Sequence, residues 1–207
     1  MNTSLLIVDD FLANAEALRA AALRMDFPPV DGMFPGRNSR ERLLIEGLDA
    51  QVSRLLGECV EGMPGPQAHG RFRLALAGDR GRAGVHVDAA HWSGILYLTP
   101  NEHARGGTEF YRHRPTGFEV APSDDADALR FGHRDAKSMV SSLLASDTLD
   151  PSKWELTMRV PMRFNRLVLF RPWLWHTAGE NFGTTPEDGR LVYLMFFRSA
   201  AALCRVA

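Results

Sequence analysis

The chain has 207 residues, 45% of them hydrophobic, and its 24 Lys and Arg nearly cancel its 25 Asp and Glu. That is enough apolar material for one sizeable core, and the net charge of -1, with a pI near 6.7, argues against nucleic acid or an anionic membrane as partner. No apolar run approaches the roughly 20 residues of a membrane span, no basic leader with a cleavage site opens the chain, and Cys59 and Cys204 form no CxxC pair, so a reducing, cytoplasmic setting is expected.

Leu5-Leu6-Ile7-Val8 reads as a short strand closed by Asp9-Asp10, and the Ala/Leu-rich stretch 13–25 has helical spacing up to Asp26-Phe27-Pro28-Pro29. A second helix is expected over 40–56, with Leu43, Leu44, Leu48, Val52, Leu55 and Leu56 on one stripe, until Gly62, Pro64, Gly65 and Pro66 break the chain. From Arg71 the period becomes that of strands, at 72–76, 85–88, 94–98 and 108–111, with turn chemistry at Gly78-Asp79-Arg80-Gly81, Thr99-Pro100-Asn101 and Gly106-Gly107. The stretch 123–146 is polar, acidic at its start and partly helical in pattern, an insert where a lid or substrate-facing element could sit. A second β group follows at 154–160, 166–170 and 191–197.

Short strands preceded by helices, not alternating with them, predict a mainly β fold, a sandwich or open barrel with helices packed on one face. The expected organisation is a single domain over 1–207, with a helical support region at 1–66 and a β core at 67–200. A homodimer paired through the N-terminal helices is open.

On a strand, residues i and i+2 point to one side, so His86 and Asp88 of His86-Val87-Asp88 project together while Val87 faces the opposite layer. His176, in Trp173-Leu174-Trp175-His176, lies at a strand end or loop of the second β group, which a sandwich brings across. Two imidazoles and one carboxylate are the ligand set that leaves half of an octahedral ferrous site open for chemistry.

The context of these residues sharpens the reading. Gly84 precedes the pair; Gly94-Ile95-Leu96-Tyr97-Leu98 and Gly106-Gly107-Thr108-Glu109-Phe110 follow; Leu167-Val168-Leu169-Phe170 leads to His176, and Arg190 opens Leu191-Val192-Tyr193-Leu194. Over about 84–198 the chain resembles the prolyl-4-hydroxylase-like branch of the Fe(II)/2-oxoglutarate-dependent dioxygenases.

The resemblance implies a double-stranded β-helix (jelly-roll, cupin-like), with His86, Asp88 and His176 as iron ligands and catalytic centre. It implies Arg190 as anchor of the distal carboxylate of 2-oxoglutarate, a fork-on-fork pairing that Lys would make only as a point charge. The alternative is that Arg190 merely starts a strand, with Arg198 as the reserve anchor. The implied reaction uses Fe(II), 2-oxoglutarate and O2 to hydroxylate a C–H bond of a small molecule, an amino acid or a peptide side chain, with oxidative decarboxylation to succinate. Asp88 fills the position a halide would need, which favours hydroxylation over chlorination. A non-catalytic metal- or ligand-binding β-domain, a sensor or accessory protein, is the alternative from another class, and a zinc or manganese hydrolase is weaker for want of a second carboxylate as general base.

Four side chains are candidates for substrate contact. Trp92 and Trp175 are expected either to line an aromatic pocket over the iron or to sit in the core. Arg112 and His113, in Tyr111-Arg112-His113-Arg114, either contact an anionic substrate or belong to a solvated loop or internal ion pairs. Tyr97 is a candidate hydrogen-bond partner of the cosubstrate, with a core position as the other account. His91 is the rival ligand, on the opposite strand face from His86. His69, His103 and His133 are expected to be exposed, and Arg71, Arg73, Arg80 and Arg82 to form a solvated basic face, with substrate attraction as the alternative.

Overall fold

The computed structural model describes residues 3–30, 32–63, 65 and 67–200; Cys204 lies outside them. The strands, in chain order, are β1 (Leu5–Val8), β2 (Arg37–Asn38), β3 (Val60–Gly62), β4 (Phe72–Ala75), β5 (Trp92–Tyr97), β6 (Gly107–His113), β7 (Trp154–Pro161), β8 (Leu167–Phe170), β9 (His176–Thr177) and β10 (Arg190–Ser199). The helices are α1 (Ala15–Ala22), α2 (Leu48–Leu56), α3 (Asp125–Arg130) and α4 (Ala136–Asp147), with a 3-10 turn at Pro151–Lys153. A seven-stranded antiparallel sheet runs β1-β8-β5-β10-β4-β2, with β3 on the far end of β10, and a three-stranded sheet runs β7-β6-β9. The two remain separate sheets and do not close into a barrel.

The large sheet is buried on both faces, and strand alternation sorts its side chains between two cores. Leu167 and Leu169 of β8, Trp92 and Leu96 of β5, Phe72 and Leu74 of β4, and Leu191, Tyr193, Met195 and Phe197 of β10 turn outward against Leu18, Ala22, Leu48, Val52 and Leu56 of α1 and α2. Val168 and Phe170, Tyr97 and Val192 turn inward and meet Phe110 and Val160 of the small sheet. A leucine buried as completely as Leu167 or Leu169 stabilises the fold by about 1.5–3 kcal/mol over the exposed state. Both N-terminal helices thus cover one face of the sheet, and the opposite face is left to the site.

The 40–56 helix is shorter than its apolar stripe suggests, since α2 starts only at Leu48. Gly47 takes a left-handed conformation at φ 73°, and the residues before it are bound elsewhere. Leu43 N–H donates to the Gly70 carbonyl at 2.8 Å, and the Arg42 guanidinium takes the carbonyls of Gly65, Gln67 and His69 at 2.6, 2.6 and 2.7 Å. Tertiary hydrogen bonds outcompete helix propensity there. The 1–66 region supplies β1, β2 and β3 to the large sheet as well as its two helices. The 85–88 strand reduces to a single antiparallel bridge between His86 and His176.

The 123–146 insert forms α3 and α4, but it does not stand over the cavity described below. Met139 and Leu143 of α4 pack with Val85, Trp154 and Trp175 behind the His86 segment, so the insert is a brace and not a lid. No helix among the described residues is long and apolar enough to cross a membrane.

Candidate metal centre

His86 and His176 exchange both backbone hydrogen bonds, N–H to C=O, at 2.9 and 3.0 Å, and Asp88 N–H donates to the Pro172 carbonyl at 3.1 Å. From behind, Thr148 accepts the Val85 N–H on its carbonyl at 3.0 Å, donates its hydroxyl to the Val85 carbonyl at 2.8 Å and accepts the Gly84 N–H at 2.9 Å. So short a segment keeps its geometry because every one of these backbone groups is partnered.

The three side chains converge. His86 Nε2 lies 3.8 Å from Asp88 Oδ1, and His176 Nε2 lies 3.3 Å from Asp88 Oδ2. Among the described residues they are the one cluster of ligating side chains, each offering an atom within 4.8 Å of the others. In both rings Nδ1 faces a carbonyl two residues back, Gly84 at 2.8 Å and Leu174 at 2.7 Å. A carbonyl only accepts, so Nδ1 carries the proton and the Nε2 lone pair is free for a metal.

Burial, followed by the neighbouring His176, brings His86 down to about 4, so its ring is neutral at pH 7. Burial alone would raise Asp88, but His176, His86 and the Ser93 hydroxyl outweigh it and bring the carboxyl to about 2. Ser93 donates to Oδ2 at 2.6 Å. A neutral imidazole with a free lone pair and an ionised carboxylate are what a divalent ion of the iron type takes, and the residues present fit it.

A cavity of about 700 Å³ opens on the triad, and Arg190 lines it. Arg190 starts β10 on the inward parity shared with Val192, and its side chain is 2% exposed. Its Nε and Nη2 find no hydrogen-bond partner, and burial holds its pKa below the usual guanidinium value. Buried charges are ordinarily paired, so this guanidinium fits a carboxylate entering the cavity.

The fold is that of the Fe(II)/2-oxoglutarate-dependent oxygenases. SnoK, a non-heme α-ketoglutarate-dependent carbocyclase from nogalamycin biosynthesis, superposes with a TM-score of 0.54 at 14% identity, over 100% of this chain and 88% of its own. HygX from Streptomyces hygroscopicus, in a structure with nickel, 2-oxoglutarate and hygromycin B bound, superposes with a TM-score of 0.52 at 15% identity, over 96% of this chain and 84% of its own. No curated protein matches the sequence. The model of a family of unknown function, DUF6445, matches residues 1–197, and the chain belongs to that family.

The structure brings His86, Asp88, His176 and Arg190 into one cavity and places the other candidates away from it, Trp92, Trp175, Arg112, His113 and Tyr97 following the core or ion-pair account and not the substrate or cosubstrate one. Trp92 is fully buried on the outward face of β5, under the Arg171 guanidinium at 4.0 Å. Trp175 is equally buried, packed on Trp154 at 5.3 Å. Arg112 points to solvent and pairs with Glu119 at 2.5 Å and Glu155 at 3.3 Å. His113 is buried between Asp147, 2.9 Å from Nε2, and Thr116, 2.9 Å from Nδ1. The Tyr97 hydroxyl is engaged by Thr108, 2.7 Å from its Oγ1 and 2.8 Å from its N–H, and the residue sits in the core between the sheets instead of on the cavity wall. Arg198 is exposed and bound to Glu61 on β3, which removes it as reserve anchor. His91 pairs with Glu58 at 2.9 Å, away from the triad, and His69 is buried, with Nδ1 accepting the Phe196 N–H at 3.1 Å.

Sequence reasoning missed Ser93 and the Glu109–Tyr111 pair on the cavity wall, and it gave Arg73 a part in substrate attraction only as the alternative to a solvated face. Parity was the available signal: Arg73 alternates with the core residues Phe72 and Leu74, and Glu109 and Tyr111 are i and i+2 on one strand.

Proposed function

We propose that this chain is an Fe(II)- and 2-oxoglutarate-dependent dioxygenase that hydroxylates a C–H bond of a small molecule, an amino acid or a peptide side chain. The observation that carries the reading is the presence, in one cavity, of the converging His86, Asp88 and His176 and of a buried Arg190 with two unpartnered nitrogens. When bound, ferrous iron with 2-oxoglutarate and O2 supplies the oxidising power, the keto acid being decarboxylated to succinate.

The chain's own residues hold and orient. His86 and His176 present Nε2, with each ring fixed by a backbone carbonyl, and Asp88 lowers the charge of the site while Ser93 holds its rotamer. Arg190 offers the distal carboxylate a planar pair of donors at the inner wall. The Phe34 ring, 4.2 Å from His86, and the Phe170 ring, 4.6 Å from His176, shield the ligands from water.

Anaerobic titration of the metal-free protein with Fe(II) and then 2-oxoglutarate tests the reading. A weak visible charge-transfer band of a chelated keto acid is expected in the wild type, lost or weakened in Arg190→Ala. Absence of the band in folded, iron-loaded protein would instead favour a non-catalytic binding domain.

A further inference from the structure

Arg73, on β4, stands directly opposite Val192 of β10 and Asn38 of β2. Val192 and Arg190 share a face of β10, so Arg73 and Arg190 are diagonal neighbours on the same wall, and both line the cavity. The Arg73 guanidinium is held by neutral acceptors: Nε donates to the Pro35 carbonyl at 2.8 Å, Nη1 to Asn38 Oδ1 at 2.7 Å and Nη2 to the Phe34 carbonyl at 2.6 Å. Asp79 acts on it through space but forms no ion pair with it, its Oδ2 accepting the Leu76 N–H at 2.9 Å. Burial and the Arg190 charge lower Arg73 to about 10, which leaves it fully charged at pH 7.

With the proposed cofactors in place, the double positive charge of the metal and that of Arg190 are balanced by Asp88 and the two carboxylates of 2-oxoglutarate. Glu109 is already matched by Arg159 at 2.6 Å and by the Tyr111 hydroxyl at 2.5 Å. Glu180 also lines the cavity, but it is exposed, where water screens it. Arg73 is then the cation of the loaded cavity that has no carboxylate bonded to it, and an entering anion gains a charge-assisted contact there. Beside it, Asn38 accepts from Arg73 on Oδ1, and its NH2 group donates to none of the described residues.

We propose that Arg73 and Asn38 form a recognition point for a carboxylate on the molecule to be oxidised, so that the substrate of this site is an organic acid or a carboxylate-bearing amino acid or side chain. This rests on the oxygenase reading above, and it assigns Arg73 to the substrate and Arg190 to the cosubstrate.

The protein loaded anaerobically with Fe(II) and saturating 2-oxoglutarate is titrated with benzoate and with its neutral isostere benzamide, and binding is read by calorimetry. The wild type is expected to prefer benzoate at least about tenfold, the size of one charge-assisted contact. Arg73→Gln removes the preference while the 2-oxoglutarate Kd stays within about threefold, a value that also reports an intact site. Because Arg73 straps residues 34–35, Asn38→Asp is the second variant: it keeps the Oδ1 acceptor, neutralises the guanidinium and also abolishes the preference. No benzoate preference in the wild type, or one surviving both substitutions, overturns the proposal. Loss of 2-oxoglutarate affinity in Arg73→Gln by more than about tenfold also overturns it, since Arg73 would then belong to the cosubstrate. Failure of the wild type to bind 2-oxoglutarate at all sinks the oxygenase reading instead. Benzoate against benzamide on the iron-loaded protein then decides the anion site by the same two variants.

Discussion

Ser93, buried on the inner face of β5, donates its hydroxyl to Asp88 Oδ2 at 2.6 Å. The bond ties the carboxylate to a central strand of the large sheet, so the Asp88 rotamer is set before a metal arrives. Ser93→Ala is expected to weaken Fe(II) or Ni(II) binding by about 10–100-fold, as for other supports of metal ligands, with little loss of fold stability. Calorimetric metal titration beside a thermal melt checks this, and an unchanged metal affinity would rule out a positioning role.

Arg190 carries a buried charge with unmet donors, so a ligand that pairs with it should be visible in stability. At about 100 times its Kd, 2-oxoglutarate adds about 2.7 kcal/mol, or roughly 5–10 °C in the Tm of a chain of this size. Arg190→Gln is expected to raise the Tm of the unliganded, metal-loaded protein and to lose that shift. An undiminished shift in the variant would take the anchor role away from Arg190.

All three tyrosines of the chain have raised pKa values. Burial, with the Glu109 carboxylate adding to it, brings Tyr111 up to about 12; burial brings Tyr193 to about 12 and moves Tyr97 in the same direction. The unfolded chain loses these protons near pH 10, where the folded protein keeps them. The unfolded state thus binds fewer protons above about pH 10, and stability present below that pH is lost as pH rises toward about 12. Tyrosinate absorbance should stay flat through about pH 10 and then rise together with loss of the near-ultraviolet circular dichroism. Smooth titration near pH 10 in the folded protein would contradict the burial of these phenols.

Gly107 opens β6 opposite Pro161, and a Cβ there would lie 1.9 Å from the Val160 carbonyl oxygen. The clash is with backbone, which no rotamer relieves. Gly107→Ala is expected to cost more than about 3 kcal/mol, at the severe end of point substitutions, and to lower metal affinity as well, because β6 pairs with β9 at Phe110 and His176. Urea unfolding and metal titration give both numbers, and a loss under about 1 kcal/mol would mean that the β6–β7 pairing yields easily.

Alternation of side chains made much of this legible. Leu5–Val8 stands where its aliphatic run predicted a strand, and the i, i+2 spacing of His86 and Asp88 sends both to one side even though only a bridge, not a full strand, carries them. Period 2 says which residues share a face, but not which face meets the cavity. Trp92 was therefore open between pocket wall and core and is core, while Arg73, read first as a solvated cation, lines the site. The late start of the 40–56 helix, at Leu48, depended on carbonyls presented by residues 65–70, a tertiary competition that a local stripe of leucines does not report. His113 and Arg112 found partners far along the chain, Asp147 and Glu155, and so were spent on structure.

The order of strands in the large sheet also shapes how the protein is made. β1 pairs with β8, Leu5 against Phe170, and at about 5–20 residues per second the ribosome delivers that partner roughly 8–30 s after β1 emerges. β10, between β5 and β4, comes later still and supplies both of their missing ladders. The nascent chain therefore holds its most aliphatic segments as open edges until β10 has been made, which exposes it to pairing with other chains. Premature termination before residue 190 would remove β10 from between β5 and β4, and a chaperone that shields strands during translation should raise the yield of folded protein.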